Sequence, residues 1–166
     1  MDFLVANAEY LPLKSESANC IILGELLEHL SEPDKVLIEV RRVLKAGASF
    51  LIISTPNAER FRKTKTRTYT DTCLMPKNKL DKFKFGANTH VFEFTKEELL
   101  SLLSKNHYEI LYFTYLWLVP PFSLLYKIPL PSRFIRRIET MLLNVPAIAQ
   151  KLSSDMICVV TRSSFS

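Results

Sequence analysis

Three segments in the first third of the chain leave little freedom in how it folds. Asn19 to Leu23 holds the run Cys-Ile-Ile-Leu, and Ser49 to Ser54 reads Ser-Phe-Leu-Ile-Ile-Ser. Both are continuous apolar stretches of strand length, rich in β-branched residues, which is the pattern of strands buried on both faces of a parallel sheet. Between them Ser31-Glu32-Pro33-Asp34 opens a helix. Ser31 offers a capping hydroxyl, proline is tolerated in the first turn, and the acidic side chains suit the positive end of the helix dipole. Val36, Leu37, Val40 and Leu44 then recur at helical spacing with Glu39, Arg41, Arg42 and Lys45 opposite them, and Gly47 supplies the stop. Strand, amphipathic helix and strand in that order specify a parallel crossover, and so an α/β sheet.

The remainder adds to that frame. Phe3 to Ala6 reads as a short strand, ended by the loop Asn7-Ala8-Glu9-Tyr10-Leu11-Pro12 because proline cannot continue a central strand. Thr55-Pro56-Asn57 closes the second long strand with a loop on which a binding group can sit. Thr95-Lys96-Glu97-Glu98 forms a capping box, with Phe94 set to staple onto Leu99, and Leu99, Leu100, Leu102 and Leu103 give that helix its buried stripe. Tyr108 to Leu118, aromatic and β-branched, predicts a long strand, and Met156 to Thr161 the last one. Phe134 to Val145 predicts a helix with the stripe Ile135, Ile138, Met141 and Leu142, and with Arg133, Arg136 and Arg137 near its start.

With 166 residues, 48% of them hydrophobic, the chain has the size of one domain and enough apolar content for one core, which excludes disorder. Cys20, Cys73 and Cys158 lie far apart without C-x-x-C spacing, implying a reducing, cytoplasmic compartment and no metal centre. The beginning Met1-Asp2-Phe3-Leu4 lacks the basic and apolar regions of a secretory signal. The longest apolar stretch, Tyr108 to Tyr126, is broken by Glu109, Thr114, Pro120, Pro121 and Ser123, against a spanning helix; Trp117 to Phe122 leaves contact with a membrane surface open. The net charge of +5 is concentrated between Arg60 and Lys84, a segment able either to meet an anion or simply to keep the protein solvated.

Three short motifs then carry a resemblance. Asn7-Ala8-Glu9-Tyr10-Leu11-Pro12, Gly24-Glu25-Leu26-Leu27-Glu28-His29-Leu30 and Arg42-Val43-Leu44-Lys45-Ala46-Gly47 follow one another with consistent spacing. They resemble the class I S-adenosylmethionine-dependent methyltransferases, in particular the type 11 small-molecule family, with its Asp-Ala-x-x-Leu-Pro, Glu-x-Leu-Glu-His and Arg-Val-Leu-Lys-Pro-Gly segments. The stretch from His90 to Leu103 is similar to the lead into that family's late helix. The resemblance implies a Rossmann-like methyltransferase sheet with helices on both faces, over a single partial domain of residues 1–166 with a basic inserted loop at about 58–90.

The family's glycine-rich turn has no counterpart here. Gly24, Gly47 and Gly86 are the only glycines, and no two form G-x-G, the turn that lets backbone approach the cofactor. The resemblance thus implies an N-terminally truncated domain without the family's strands 1 and 2, and S-adenosylmethionine binding that is weak or lost. Of the family sheet order 3-2-1-4-5-7-6, the block 4-5-7-6 would remain. The Cys20 strand would then present an open edge, to be paired by the Phe3 segment or covered by another chain.

Asn7, Ala8, Gly24 and Glu25 match the family's cofactor-binding positions, and an Asn7 amide oxygen can still accept a hydrogen bond where the family has Asp. Glu25 is equally well explained as a carboxylate at a helix start. His29 and His90 are the candidate catalytic bases, since imidazole titrates near neutrality and some methyl acceptors must lose a proton; His107 ranks below them. The acceptor implied is a small molecule, with an anionic one suiting the basic segment, and few stacking aromatics stand there to suggest nucleic acid. Two further readings stand beside methyl transfer: a non-catalytic binding or scaffold module on the same fold, and a membrane-peripheral enzyme acting on a lipid or quinone.

Overall fold

The computed structural model describes residues 2–60, 68, 90–118 and 131–163. Four strands, β1 (Cys20–Gly24), β2 (Phe50–Pro56), β3 (Tyr108–Leu118) and β4 (Ser153–Arg162), form one sheet in the order β1-β2-β4-β3. β1 and β2 run parallel, and β4 is antiparallel to both its neighbours. This is the block of four strands expected from the resemblance. The helix between β1 and β2, α1 (Pro33–Val43), is the predicted crossover. α2 (Lys96–Lys105) leads into β3, and α3 (Ser132–Leu143) and α4 (Pro146–Leu152) precede β4.

Side chains alternate across the sheet, and one set is buried. Leu23, Leu51, Ile53, Met156, Cys158 and Val160 join Val36, Leu37 and Val40 of α1 and Leu99, Leu102 and Leu103 of α2 in a single core. The capping box of α2 forms in full: Thr95 Oγ1 accepts from Glu98 N at 3.2 Å, and Glu98 Oε2 accepts from Thr95 N at 2.9 Å. Phe94 and Leu99, the expected staple, are both fully buried.

Several expectations are corrected. β1 is not buried on both faces, since Cys20 is exposed and Ile22 is 69% exposed. The run Cys-Ile-Ile-Leu has the composition of a central strand, but among the described residues β1 pairs with β2 alone. Phe3 to Ala6 is not a strand and does not pair with the β1 edge; Phe3, Leu4 and Val5 are exposed, having no ladder to satisfy their backbone. The residue capping α1 is Glu32 rather than Ser31, and it makes no side-chain capping bond, its carboxylate accepting instead from Lys35 Nζ at 2.6 Å. The helix expected from 134 to 145 begins at Ser132, ends at Leu143 and is followed by α4, restarted by Pro146. In its stripe Ile135 is buried, while Ile138 and Met141 are exposed.

Most of the basic segment lies outside the described residues, as do 119–122 of the apolar Trp117–Phe122 run. Arg60, counted above among the solvated cations, is buried. Among the described residues no helix is long and apolar enough to cross a membrane.

Candidate functional site

β1 and β2 are parallel, so their carboxyl ends lie at the same edge of the sheet, the end at which α/β sheets bind ligands. β1 ends at Gly24, and Glu25 follows at φ 50°, a left-handed conformation unusual for a residue with a side chain. Three bonds to Ser54, at the end of β2, hold it there. Glu25 N donates to Ser54 O at 3.1 Å and to Ser54 Oγ at 3.3 Å, and Ser54 Oγ donates to Glu25 Oε1 at 2.7 Å. A backbone in that region costs on the order of 1–3 kcal/mol, and such residues gather at binding sites. Here it aims a carboxylate over the strand ends.

Beside this pair lies a hollow of ≈ 400 Å³ lined by Glu25, Ser54, Leu116, Asp155 and Ile157. Asp155 comes from β4, the strand antiparallel to β2, so its chain start meets the carboxyl end of β2. Ser154 Oγ donates to the Asp155 carboxylate and holds it. The hollow therefore offers two carboxylates and a hydroxyl against two aliphatic side chains.

A second cluster forms where the 3-10 turn Leu27–His29 meets the segment after His90. Val91 N donates to Glu28 O at 2.9 Å, which ties the two together. Glu28 is fully buried; its Oε2 accepts from Thr55 Oγ1 at 3.2 Å, while its Oε1 has no hydrogen-bond partner. Burial pushes this carboxyl above its ordinary range. His29 Nε2 is 3.9 Å from Glu28 Oε1, and the rings of His29 and His90 meet edge to face with centroids 5.0 Å apart. His90 Nδ1 lies 3.2 Å from Glu93 Oε1, and that oxygen also accepts from Arg60 Nη2 at 2.7 Å. Arg60 is fixed in turn, its Nη1 donating to Asn57 O at 2.9 Å and Ser154 O at 3.0 Å.

The structure thus brings His29 and His90 together although 60 residues separate them in the sequence, and it places Gly24 and Glu25 at the mouth of the strands. Asn7 and Ala8 do not join either group in any bond. The Asn7 side-chain oxygen accepts from Glu9 N at 2.9 Å, closing its own turn. That loop is held to α1, where Glu39 accepts from Leu11 N and Arg42 donates to Leu11 O. His107 lies at φ 61° just before β3, remote in the chain from the strand mouths. Sequence reasoning missed Ser54, Asp155, Glu93 and the buried state of Glu28. The Glu28-His29 dipeptide and the serine ending an apolar strand were visible, but nothing local ties Asp155 or Glu93 to them.

Known proteins share a sequence signature and the fold with this chain. Residues 1–52 match the sequence profile of the type 11 methyltransferase domain. The ubiquinone/menaquinone biosynthesis C-methyltransferase UbiE of Haemophilus ducreyi is 32% identical over 53 residues, 32% of this chain and 20% of that protein. An S-adenosylmethionine-dependent methyltransferase structure from Methanosarcina mazei superposes with a TM-score of 0.59 at 17% identity, covering 98% of this chain and 67% of that one. Residues 1–52 thus carry the signature of the type 11 methyltransferase domain, and the chain as a whole shares the fold of these structures. The match to UbiE reaches only a fifth of that relative's length, and the fold serves other chemistry as well. The [4+2]-cyclase SpnF has it too, with a TM-score of 0.57 at 17% identity over 98% of this chain and 57% of its own. In this fold β1 and β2 supply the mouth, and the segment after β1 supplies Glu25, Glu28 and His29.

Proposed function

We propose that the chain supplies the strand-mouth half of an S-adenosylmethionine-dependent methyltransferase acting on a small-molecule acceptor. The observation that carries this reading is the acidic hollow of Glu25, Ser54 and Asp155 at the carboxyl ends of parallel strands. S-adenosylmethionine bears a sulfonium and an ammonium, and two carboxylates close to aliphatic walls favour a ligand of that charge and mixed polarity. Methyl transfer passes in line from the sulfonium to the acceptor, so the protein's task is to orient the pair and, for some acceptors, to take a proton. His29 and His90, side by side and each about a third exposed, are the groups for that proton.

The absence of any G-x-G in the sequence removes the usual backbone approach to the cofactor, so the reading includes weak binding by this polypeptide. Calorimetric titration with S-adenosylmethionine tests it. Heat at millimolar ligand, diminished in Asp155→Asn, is the expected result; no heat at that concentration sinks cofactor binding by the chain. A second reading, a non-catalytic binding module, is favoured by a β1 edge that is unpaired among the described residues and by the exposed Ile22, Phe50 and Tyr112. The same titration separates the two, because a scaffold has no need of the cofactor.

A further inference from the structure

We propose that Glu28, His29 and His90 form a binding site for one divalent first-row transition ion. Each offers one ligand atom, and the three atoms lie within 4.8 Å of one another. Two imidazoles and a carboxylate suit zinc, iron, cobalt and their neighbours rather than magnesium or calcium, which take all-oxygen shells. Three protein ligands leave further coordination positions for water or a substrate oxygen, and because a bound ion would occupy the imidazole nitrogens, the proton-accepting role of His29 and His90 belongs to the ion-free chain.

A second observation points the same way. Glu28 is fully buried and its Oε1 accepts no hydrogen bond, although a buried oxygen without a partner costs roughly 1–3 kcal/mol. Its other oxygen is already committed to Thr55. The unsatisfied oxygen faces His29 Nε2 at 3.9 Å, and an ion between them would satisfy it.

The surroundings match what a metal-binding imidazole needs. With His90 Nδ1 at 3.2 Å from the buried Glu93 carboxylate, its Nε2 is left as the ligand, and ring orientation is set by the Glu93–Arg60 pair behind it. Neighbouring ligands of an ion with bonds of about 2.1 Å stand roughly 3–3.4 Å apart, so the cluster must close by about an ångström. Both histidine side chains are 34% exposed and have the room to turn. The carboxylate is the fixed member of the set. His29 already stands 3.9 Å from it, and His90 offers its ligand atom within 4.8 Å of the other two.

Titration of the full chain with cobalt(II), after stripping with a chelator, tests the site without any cofactor or activity assay, so it stands or falls apart from methyl transfer. The visible bands of cobalt(II) should report one ion per chain in a site of low coordination number, displaced by zinc(II). His29→Gln and His90→Gln should each weaken binding at least about tenfold, and Glu93→Gln by about 10- to 100-fold through loss of the supporting hydrogen bond. His107→Gln should leave it unchanged. Thermal melting in chelator checks that each variant is folded, and His90→Gln, on a partly exposed segment, serves where another is not. No binding at millimolar cobalt overturns the proposal. So does binding that survives both histidine variants, or that is lost in only one of them or in His107→Gln.

Discussion

Two neighbouring rows of side chains cross the sheet one residue apart and meet opposite fates. Leu23, Ile53, Cys158 and Phe113 form one row by strand register, and Ile22, Ile52, Val159 and Tyr112 form the next. The first is covered: Leu23 is 7% exposed and Ile53 and Cys158 fully buried. In the second, Ile22 is 69% and Tyr112 58% exposed. The two rows are equally apolar, so hydrophobicity does not distinguish them. What does is that α1 and α2 contribute to the same core as the first row, whereas the second row keeps much of its surface open. A β-branched strand is thus a demand for cover on both faces, and the described residues meet that demand on one.

Thiol chemistry gives the largest expected contrast between the two faces. Cys20 is exposed at the β1 end of the sheet, whereas burial pushes the Cys158 thiol up to about 12. In a Cys73→Ser background a disulfide reagent at pH 8 should label Cys20 at once. Cys158 should be slower by more than about 10³-fold, since it must wait for an opening that costs a large part of a typical 5–15 kcal/mol stability. Equal rates would break the comparison.

Truncation at matched positions comes next. Ile53→Ala should cost about 2–5 kcal/mol in denaturant melts, because it empties a packed site, while Ile22→Ala should change stability by no more than about 0.5 kcal/mol. A cost at Ile22 near that at Ile53 would show that the second row is covered in solution.

Alkaline titration sharpens the picture of the covered side. Burial raises both Tyr108, whose hydroxyl donates to Leu37 O at 2.8 Å, and Cys158. Groups raised in the folded state favour folding below their unfolded values, near 10 and 9, and lose that contribution as pH rises toward the folded values. Stability should therefore fall steeply above pH 9. Tyr108→Phe should lose about 1 kcal/mol at pH 7 with its hydrogen bond, yet show a shallower alkaline decline. An unchanged slope would remove Tyr108 from that account.

The smallest effect concerns the start of α2. Thr95→Ala removes one half of the capping box and should cost about 1 kcal/mol, whereas Ser31→Ala, ahead of a helix capped without a side chain, should cost almost nothing. Comparable costs in urea melts would contradict the capping geometry.

Much of the scaffold was legible because it is local. The β1, β2 and β3 runs, the periodicity of α1 and the Thr95–Glu98 box each lie within a dozen residues, and each forms close to where its pattern stands. The strand at Phe3 to Ala6 failed for the opposite reason. A strand needs a neighbour, and its own residues cannot say whether one is beside it. The site divides in the same way. Glu25 and His29 were readable from a motif seven residues long, and His90 from its place before the capped helix.

What the sequence determined by itself was the alternation of elements and the identity of the reactive side chains, since both follow from spacing along the chain and from functional groups. Tertiary structure alone decided that His90 meets His29, that Asp155 shares a hollow with Glu25, and that Glu28 is left with a buried, unpaired oxygen. Those facts depend on strands from opposite ends of the chain lying side by side, and on which groups that packing shuts away from water. No local pattern encodes either.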